Sequence, residues 1–226
     1  MKLTYYGHAC FGVEVDGTHL LFDPFITPNP LAAGIDVEKI PADFILLSHG
    51  HFDHVNDAVA IATRTGATVI ANWEITEWLG KQGVTKTHPM NLGGSFKFPF
   101  GRVKLTPALH SSVLPDGTYG GNPGGFLVES EKGNFYYSGD TALARDMKLV
   151  GESASLKFAV LCIGDCFTMG PADAARAASY VETTEVVGVH YDTFPLIEID
   201  HHEAIREFSD RGATLHLLKI GGSIEF

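Results

Sequence analysis

The sequence is poor in basic residues, and no run of lysines or arginines occurs in it. It has 16 basic residues against 27 acidic ones, which gives a formal net charge of -11 at pH 7. Nucleic-acid-binding proteins draw most of their affinity from cationic side chains, so this composition argues against a dedicated nucleic-acid-binding module. It argues less strongly against a nuclease, because metal ions can supply positive charge locally.

Cysteines and long apolar runs are also scarce. The three cysteines, Cys10, Cys162 and Cys166, are odd in number and include no CxxC pair, so we expect no disulfide framework and a reducing compartment. No apolar run approaches the roughly 18 residues that a membrane span needs. The first residues lack the apolar segment of a signal peptide. These absences predict a soluble cytoplasmic protein that does not associate with membranes.

The hydrophobic pattern predicts an α/β protein. With 226 residues and a 45% hydrophobic composition the chain can bury a substantial core, and we predict a single domain over residues 1–226. Apolar and alternating runs predict strands at 2–6, 11–15, 19–22, 44–47, 67–70, 95–98, 103–108, 126–129, 134–137, 158–163, 186–189 and 215–218. Helical spacing predicts helices from 55 to a glycine stop at 66, at 74–80, at 172–181, and from 201 to a glycine stop at 212. This alternation indicates two sheets with helices packed outside them.

Turn and cap signals add detail to this pattern. Asp16-Gly17 is typical of a hairpin turn between two early strands. Asp200 and Glu203 have the spacing of a capping box at the start of the last helix. The glycines and prolines of residues 111–125 predict a long loop, and loops of that length inside a domain tend to be functional.

The stretch LLSHGHFDHVND, residues 46–57, contains a candidate metal site. Four residues match the pattern HxHxDH just after a predicted strand: His49, His51, Asp53 and His54. Imidazole nitrogens and carboxylates are the usual ligands of borderline divalent metals, and a tight turn between a strand and a helix can direct these side chains to neighbouring points. A lone histidine is more often a solvated turn residue. Four such positions in one pattern favour a metal site.

Three further candidates, His110, Asp140 and His190, each stand shortly after the end of a predicted strand. In layered α/β folds, sites are built at the carboxyl ends of strands because several strands can present side chains to one crevice. We therefore expect these residues to join the HxHxDH motif at a single site.

These motifs resemble, in their order along the chain, those of the metallo-β-lactamase superfamily. The matching residues are Asp23 in LLFDPF, the HxHxDH motif, His110, Asp140 in YYSGDT and His190 in VGVHYDTFP. More narrowly, four stretches are similar to a group of small metal-dependent hydrolases related to the ascorbate-6-phosphate lactonase branch: YYGHACF, GGNPGGFLVES, IGDCFTMGPADAA and VHYDTFPLIE. The resemblance spans nearly the whole chain, although Cys166 stands where that group has asparagine. It implies a four-layer αββα sandwich, with two mixed sheets and helices on the outer faces.

The resemblance also implies a role for each site residue. One divalent metal ion would be held by His49, His51 and His110, a second by Asp53, His54 and His190, and Asp140 would bridge them. Asp23 would support the motif turn as a hydrogen-bond acceptor behind the ligands. His8, in YYGHACF, is expected either to contact the metal or the substrate or to be a hydrogen-bonded core histidine. Nitrogen and oxygen ligands accommodate zinc or manganese, which we favour, as well as iron or nickel.

A pair of divalent ions implies hydrolysis. Such ions lower the pKa of a shared water from about 15.7 towards about 7, which yields a metal-bridged hydroxide at neutral pH. Asp53 would be both a ligand and the catalytic acceptor that orients this hydroxide, and we count His8 as the second catalytic candidate. We predict cleavage of an ester-like bond, either a phosphodiester or a lactone. No GxSxG motif supports a covalent mechanism instead.

Two other functions are compatible with the same fold. A redox enzyme with an iron pair usually carries glutamate at the second motif position and an attached flavin domain, whereas this chain has His51 there. A non-catalytic metal-dependent binding or regulatory protein would keep the same ligands. For a hydrolase, we expect a small-molecule or short-oligonucleotide substrate rather than long structured nucleic acid. Oligomeric state is left open, although exposed sheet edges in this fold often pair between subunits of a homo-oligomer.

The remaining candidates are predicted to be structural. Five histidines have no partner motif: His19 and His216 within strands, His88 in a loop, and His201 and His202 at a helix start. Cys162 is predicted to be a core residue. Asp165 and Thr168 are predicted either to line the cleft or to cap the helix that starts near Pro171.

Overall fold

A computed structural model describes residues 1–226. It contains two seven-stranded mixed sheets that pack face to face, with helices on the outer face of each. This confirms the predicted four-layer α/β sandwich. None of the helices has the length and apolar character that a membrane crossing needs.

The first sheet combines an antiparallel half and a parallel half. From edge to edge it contains β14 (Ser223–Glu225), β1 (Lys2–Gly7), β2 (Cys10–Val15), β3 (Thr18–Phe22), β4 (Phe44–Leu46), β5 (Thr68–Asn72) and β6 (Thr87–Met90). Pairing is antiparallel from β14 to β3 and parallel from β3 to β6. Asp16 and Gly17 both have positive φ, 50° and 79°, as the predicted hairpin turn between β2 and β3 requires.

The second sheet repeats this arrangement. From edge to edge it contains β13 (Thr214–His216), β12 (Glu185–Val189), β11 (Leu156–Cys162), β10 (Gly133–Tyr137), β9 (Gly124–Ser130), β8 (Gly101–Pro107) and β7 (Ser95–Phe98). Pairing is parallel from β13 to β10 and antiparallel from β10 to β7. The parallel strands are buried on both sides, which is why they read as continuous apolar runs in the sequence.

Six helices cover the outer faces. They are α1 (Phe52–Val55), α2 (Ala58–Thr65), α3 (Trp73–Lys81), α4 (Lys148–Ser153), α5 (Pro171–Tyr180) and α6 (His201–Ser209). As predicted, Gly66 ends α2 in the left-handed conformation, and the Asp200 side chain caps α6 by accepting from the Glu203 N–H. Gly212 closes α6 in a Schellman motif, in which the N–H of Ala213 donates to the carbonyl of Phe208.

The core has three layers that match the four layers of secondary structure. A central cluster of 22 buried residues lies between the sheets. Two clusters of 19 buried residues each lie between a sheet and its helices, one under α2 and α3 and one under α5 and α6. Cys162 is buried in the last of these, as predicted, and all three cysteines are free.

Some elements differ from the prediction. His88 lies on β6 rather than in the predicted loop, and three elements, β6, β14 and α4, were not predicted from the sequence. Both strands are short sheet edges, and β6 contains Pro89, so neither shows the apolar alternation of an inner strand. α4 has only six residues, one of them Gly151. The helix predicted from Val55 begins earlier, at Phe52, and is split into α1 and α2.

Candidate metal centre

The predicted site residues follow strands whose carboxyl ends meet at one edge of the sandwich. In the first sheet, β1, β3 and β4 run in the same direction, and in the second sheet so do β8, β10 and β12. Each of these strands is followed by a predicted site residue: His8 after β1, Asp23 after β3, the HxHxDH motif after β4, His110 after β8, Asp140 after β10 and His190 after β12. The topology therefore brings distant parts of the chain to one crevice.

The HxHxDH motif spans the change from strand to helix. His49 precedes α1, and His51 is its N-cap residue, with an extended backbone (φ −63°, ψ 147°). Asp53 and His54 lie in the first turn of α1. Extended backbone places alternate side chains on one side, whereas neighbouring helical residues diverge by about 100°. The motif can therefore direct donor atoms to two neighbouring points.

Two groups of donor atoms line the crevice, each with its members within 4.8 Å of one another, and a third group, Asp23, His49 and His54, overlaps both from behind. We call the first the histidine-only group: His49, His51 and His110. We call the second the aspartate-containing group: His8, Asp53, His54 and His190. The structure brings together the residues of both predicted ligand sets and adds His8 to the second.

Asp140 lies between the two groups. Its Oδ2 is 3.7 Å from His110 Nε2 and 3.9 Å from His49 Nε2 on the histidine-only side. On the other side the same oxygen is 2.9 Å from His190 Nε2 and 3.2 Å from His54 Nε2. One carboxylate oxygen therefore faces both donor groups.

Asp23 lies behind the motif and is fully buried. Its carboxylate accepts hydrogen bonds from the Ser48 N–H (2.8 Å), the Ser48 hydroxyl (2.5 Å) and the Tyr137 hydroxyl (2.7 Å). It also lies 2.8 Å from His54 Nδ1. With its Nδ1–H donated to a carboxylate, His54 presents Nε2 to the site, which is how a supporting residue fixes the orientation of a metal ligand.

Several buried atoms at the site have no hydrogen-bond partner in the chain. They are His54 Nε2, Asp140 Oδ1 and His190 Nδ1. Leaving a buried polar atom unpaired costs about 1–3 kcal/mol, and more for a charged group. His190 turns Nε2, not the unpaired Nδ1, towards Asp140. A divalent cation would satisfy His54 Nε2 and the Asp140 carboxylate, so the residues present fit a metal.

The electrostatics of the site also suit metal binding. Burial, helped by the neighbouring His54, lowers the pKa of His49 well below its ordinary value. Burial alone would raise the pKa values of Asp53 and Asp140, but nearby histidines, His54 among them, outweigh it and lower both. For His54, burial would lower the pKa, but the carboxylates of Asp140 and Asp23 raise it. Ionised carboxylates and a neutral His49 are the forms that bind metals, and His54 would release a proton on binding.

His8 is buried and hydrogen-bonded at both ring nitrogens. Its Nε2 lies 3.0 Å from Asp53 Oδ2, and its Nδ1 lies 2.9 Å from the Thr193 hydroxyl. Burial lowers its pKa to about 4, and the neighbouring His190 adds to this effect. A neutral ring meets both contacts when Nε2–H donates to the carboxylate and Nδ1 accepts from the hydroxyl. His8 is therefore a hydrogen-bonded buried histidine that directly contacts a predicted ligand.

Three site residues have left-handed backbone conformations. The φ angles are 54° at His8, 40° at Asp23 and 59° at His190. Such conformations cost a non-glycine residue about 1–2 kcal/mol, and they concentrate at functional sites, where the surrounding structure holds them in place. Each one turns the chain at the end of a strand, where its side chain becomes part of the donor groups or of their support.

A cleft of about 810 Å³ opens over the centre. Its lining includes five residues of the centre: His51, Asp53, His110, Asp140 and His190. The predicted loop at 111–125 supplies part of its wall and is tied to the motif by the Gly50 N–H, which donates to the Ser112 hydroxyl at 3.0 Å.

Asp165 and Thr168 do not have the predicted roles. Neither lines the cleft, and α5 begins at the N-cap Gly170 without a side-chain cap. Asp165 adopts the left-handed conformation, and its N–H donates to the carbonyl of Met169, closing a tight turn. This turn instead places Phe167 against the cleft.

Four residues that support the centre carry no recognised sequence signal as a set. Ser48 and Tyr137 bind Asp23, Thr193 contacts His8, and Ser112 binds the motif backbone. Ser48 directly precedes the motif, but the other three have no recognisable spacing. They are brought to the site by strands and loops that are distant in sequence.

Two mixed sheets with helices outside, and a histidine and aspartate cluster at their common edge, define a metal-dependent hydrolase of the metallo-β-lactamase type. The family model described as a beta-lactamase superfamily domain matches residues 18–191. Igni18, a metallo hydrolase from Ignicoccus hospitalis, is similar in structure with a TM-score of 0.89 and 35% sequence identity, covering 100% of this chain and 98% of that one.

Close relatives narrow this class. A UPF0173 metal-dependent hydrolase from Flavobacterium johnsoniae is 53% identical over 225 residues, covering 100% of both chains. Another from Methylacidiphilum infernorum is 51% identical over 224 residues, covering 99% of both. The chain therefore belongs to the UPF0173 metal-dependent hydrolase family of the metallo-β-lactamase superfamily. Metal-dependent hydrolysis is the class of function that this family defines.

Proposed function

We propose that this hydrolase holds two divalent metal ions, zinc or manganese, one in each donor group, and cleaves an ester-like bond. The observation that carries the proposal is the position of Asp140 Oδ2, which lies within 3.9 Å of a histidine nitrogen from each group. A carboxylate between two such groups can bridge two cations and offset part of their mutual repulsion.

The protein residues then have distinct roles. When bound, the ions would supply the nucleophile by lowering the pKa of a water from about 15.7 towards about 7, and would polarise the attacked group. Asp53, whose side chain is 14% exposed, faces the cleft and would orient the nucleophile as an acceptor. His8 would act on Asp53 from behind, because its 3.0 Å contact with Oδ2 sets the direction of the carboxylate.

The expected substrate is a small molecule or a short oligonucleotide with a phosphodiester or lactone bond. The cleft volume of about 810 Å³ suits such a ligand, since small-molecule sites commonly measure about 300–1,000 Å³. The proposal includes no membrane partner and no long structured nucleic acid. A homo-oligomer would form through exposed sheet edges such as β7, where Ser95, Phe96 and Lys97 are exposed.

The test is metal analysis and an activity screen on the same purified preparation. We expect about two equivalents of metal per chain and hydrolysis of a generic lactone or phosphodiester on addition of Mn²⁺ or Zn²⁺. His202→Ala, a change at an exposed histidine outside the site, is the matched control and should retain both. Absence of bound metal together with absence of activity in the presence of either ion would refute the proposal.

A further inference from the structure

The walls of the cleft contain no positive charge. None of its 14 lining residues is a lysine or an arginine, and the two carboxylates among them belong to Asp53 and Asp140. The metal ions could neutralise one anionic group of a substrate. Further phosphates, however, would find no cation on the protein. The cleft is therefore poorly suited to nucleotides and oligonucleotides.

The same walls are strongly apolar above the metal centre. Apolar residues from four separate segments line the cleft: Phe52; Val113, Leu114 and Pro115; Phe167; and Phe194, Pro195 and Leu196. Four of them are large and exposed, 51% for Phe52, 46% for Val113, 50% for Phe167 and 66% for Leu196. Contiguous exposed apolar surface around a polar centre is typical of a binding site.

Hydrogen bonds order the backbone segments that carry two of these side chains, Phe167 and Leu196. The Phe167 N–H donates to the carbonyl of Asp165, within a turn formed by left-handed residues. The segment carrying Leu196 is closed by Asp192, which accepts from the Ile199 N–H at 3.1 Å and lies 2.6 Å from His201 Nε2. A wall fixed before binding costs little ordering entropy when a ligand packs against it.

We infer that the substrate is a neutral carboxylic ester or lactone whose aliphatic or aromatic group packs against Phe52, Phe167 and Leu196. This inference rests on the proposed function and narrows it. In the reaction, the oxygen of water bonds to the carbonyl carbon, and the bond from that carbon to the alkoxy oxygen breaks with its electron pair. The alkoxy oxygen takes one proton of the water, and the acid product releases the other.

The first experiment uses p-nitrophenyl esters from acetate to octanoate with the metal-loaded protein. We expect kcat/KM to rise about two- to fourfold for each added methylene until the acyl chain covers the apolar residues of the cleft. Phe167→Ala should lower kcat/KM for the octanoate ester about tenfold, through KM, and leave the acetate ester nearly unchanged. Leu149→Ala, at an exposed leucine on α4 outside the cleft, is the control and should have no effect.

The second experiment measures binding without turnover. Calorimetric titration of the metal-loaded protein with octanamide, a neutral and slowly hydrolysed analogue, should show binding that is weakened in Phe167→Ala and in Leu196→Ser but retained in Leu149→Ser. Leu149 is exposed on α4 and does not line the cleft.

The results separate this inference from the proposed function. If bis(p-nitrophenyl) phosphate is cleaved but no ester is, the proposed function stands and the inference is overturned. If neither is cleaved, the proposed hydrolysis fails, and dependence of octanamide binding on Phe167 would leave only the apolar binding site of the inference. Two further results would overturn the inference. One is a rate independent of chain length in both the wild type and Phe167→Ala. The other is octanamide binding that is absent or unchanged by the two cleft substitutions.

Discussion

The two donor groups lie side by side but differ in charge and in exposure. The histidine-only group has no carboxylate, and two of its members, His51 and His110, are partly exposed. The aspartate-containing group has Asp53 and three buried histidines, and Asp23 supports it from behind. A cation in the histidine-only group has no carboxylate among its three donors, and Asp140 Oδ2 lies 3.7 Å from His110 Nε2. We therefore expect it to be the weaker of the two metal sites.

The largest effect should come from Asp140→Asn, because Asp140 is the one side chain that faces both groups. Replacing the carboxylate by a neutral amide should lower metal affinity and kcat/KM by more than about 100-fold, beyond the usual cost of altering a supporting residue. Metal analysis and kinetics of the variant check this. Retention of two metal equivalents and of activity would contradict the bridging role.

Removing one histidine from each group should change the metal content of the two sites differently. His110→Ala is expected to lose about one metal equivalent while the aspartate-containing group keeps its ion. His54→Ala, which removes a fully buried donor that also binds Asp23, should release both more readily. Metal content and competition with a chelator measure the difference. If His110→Ala kept full metal content and affinity, the assignment of His110 would be wrong.

Asp23→Asn tests the support behind the aspartate-containing group. The amide would replace an acceptor of the His54 Nδ1–H, and we expect a 10- to 100-fold loss of metal affinity, about the usual cost of such a change. Asp57→Asn is the control, because Asp57 is also buried but accepts from the backbone of Ile26 and Thr27. Equal losses of metal in the two variants would show that Asp23 acts on overall stability alone.

The pH dependence of the metal-free protein should report on His8. Its pKa is about 4 in the folded state, against about 6.5 in the unfolded chain, so the unfolded state binds more protons between these values. The free energy of unfolding should therefore be highest above pH 6.5 and fall by a few kcal/mol as the pH falls towards 4.

The substitution His8→Gln isolates this contribution in denaturant unfolding from pH 4 to 7.5. It should flatten the pH dependence more than His110→Gln, because His110 is partly exposed. His54, whose pKa is raised, contributes in the opposite direction and loses its stabilisation as the pH rises through its folded-state pKa. An unchanged profile in His8→Gln would show that His8 is not the group that titrates.

The smallest effect is expected on the histidine-only side, from Ser112→Ala. Its hydroxyl accepts from the Gly50 N–H at 3.0 Å, a bond whose net value is about 0.5–1.5 kcal/mol. Metal affinity of this group should fall by no more than about tenfold. Ser130→Ala, at a serine that donates to the carbonyl of Gly133, is the control. If Ser112→Ala lowered metal affinity as much as Asp23→Asn does, the two groups would depend equally on the residues that support them.

Inner elements could be predicted from the sequence more readily than edges. β11 and β12 are continuous apolar runs, and α6 carries its own cap and glycine stop, so local signals and final structure agree. β6 and β14 pair on one side only, and their sequences lack an apolar pattern. Their conformation follows from neighbouring strands, not from their own residues.

The sequence by itself determined which residues can bind a metal and that each follows a strand. The order of the motifs, from Asp23 to His190, was sufficient to predict the family and the sandwich. The HxHxDH signal is local, because its spacing is set within six consecutive residues, and the other motifs are recognised by their order along the chain.

Only the tertiary structure decided how these residues share the site. It placed Asp140 Oδ2 between the two groups, His8 3.0 Å from Asp53, and Tyr137 on the Asp23 carboxylate. It also assembled the apolar wall from four segments that have no common motif. Such contacts depend on the packing of two sheets against each other, and spacing along the chain does not encode distances across that interface.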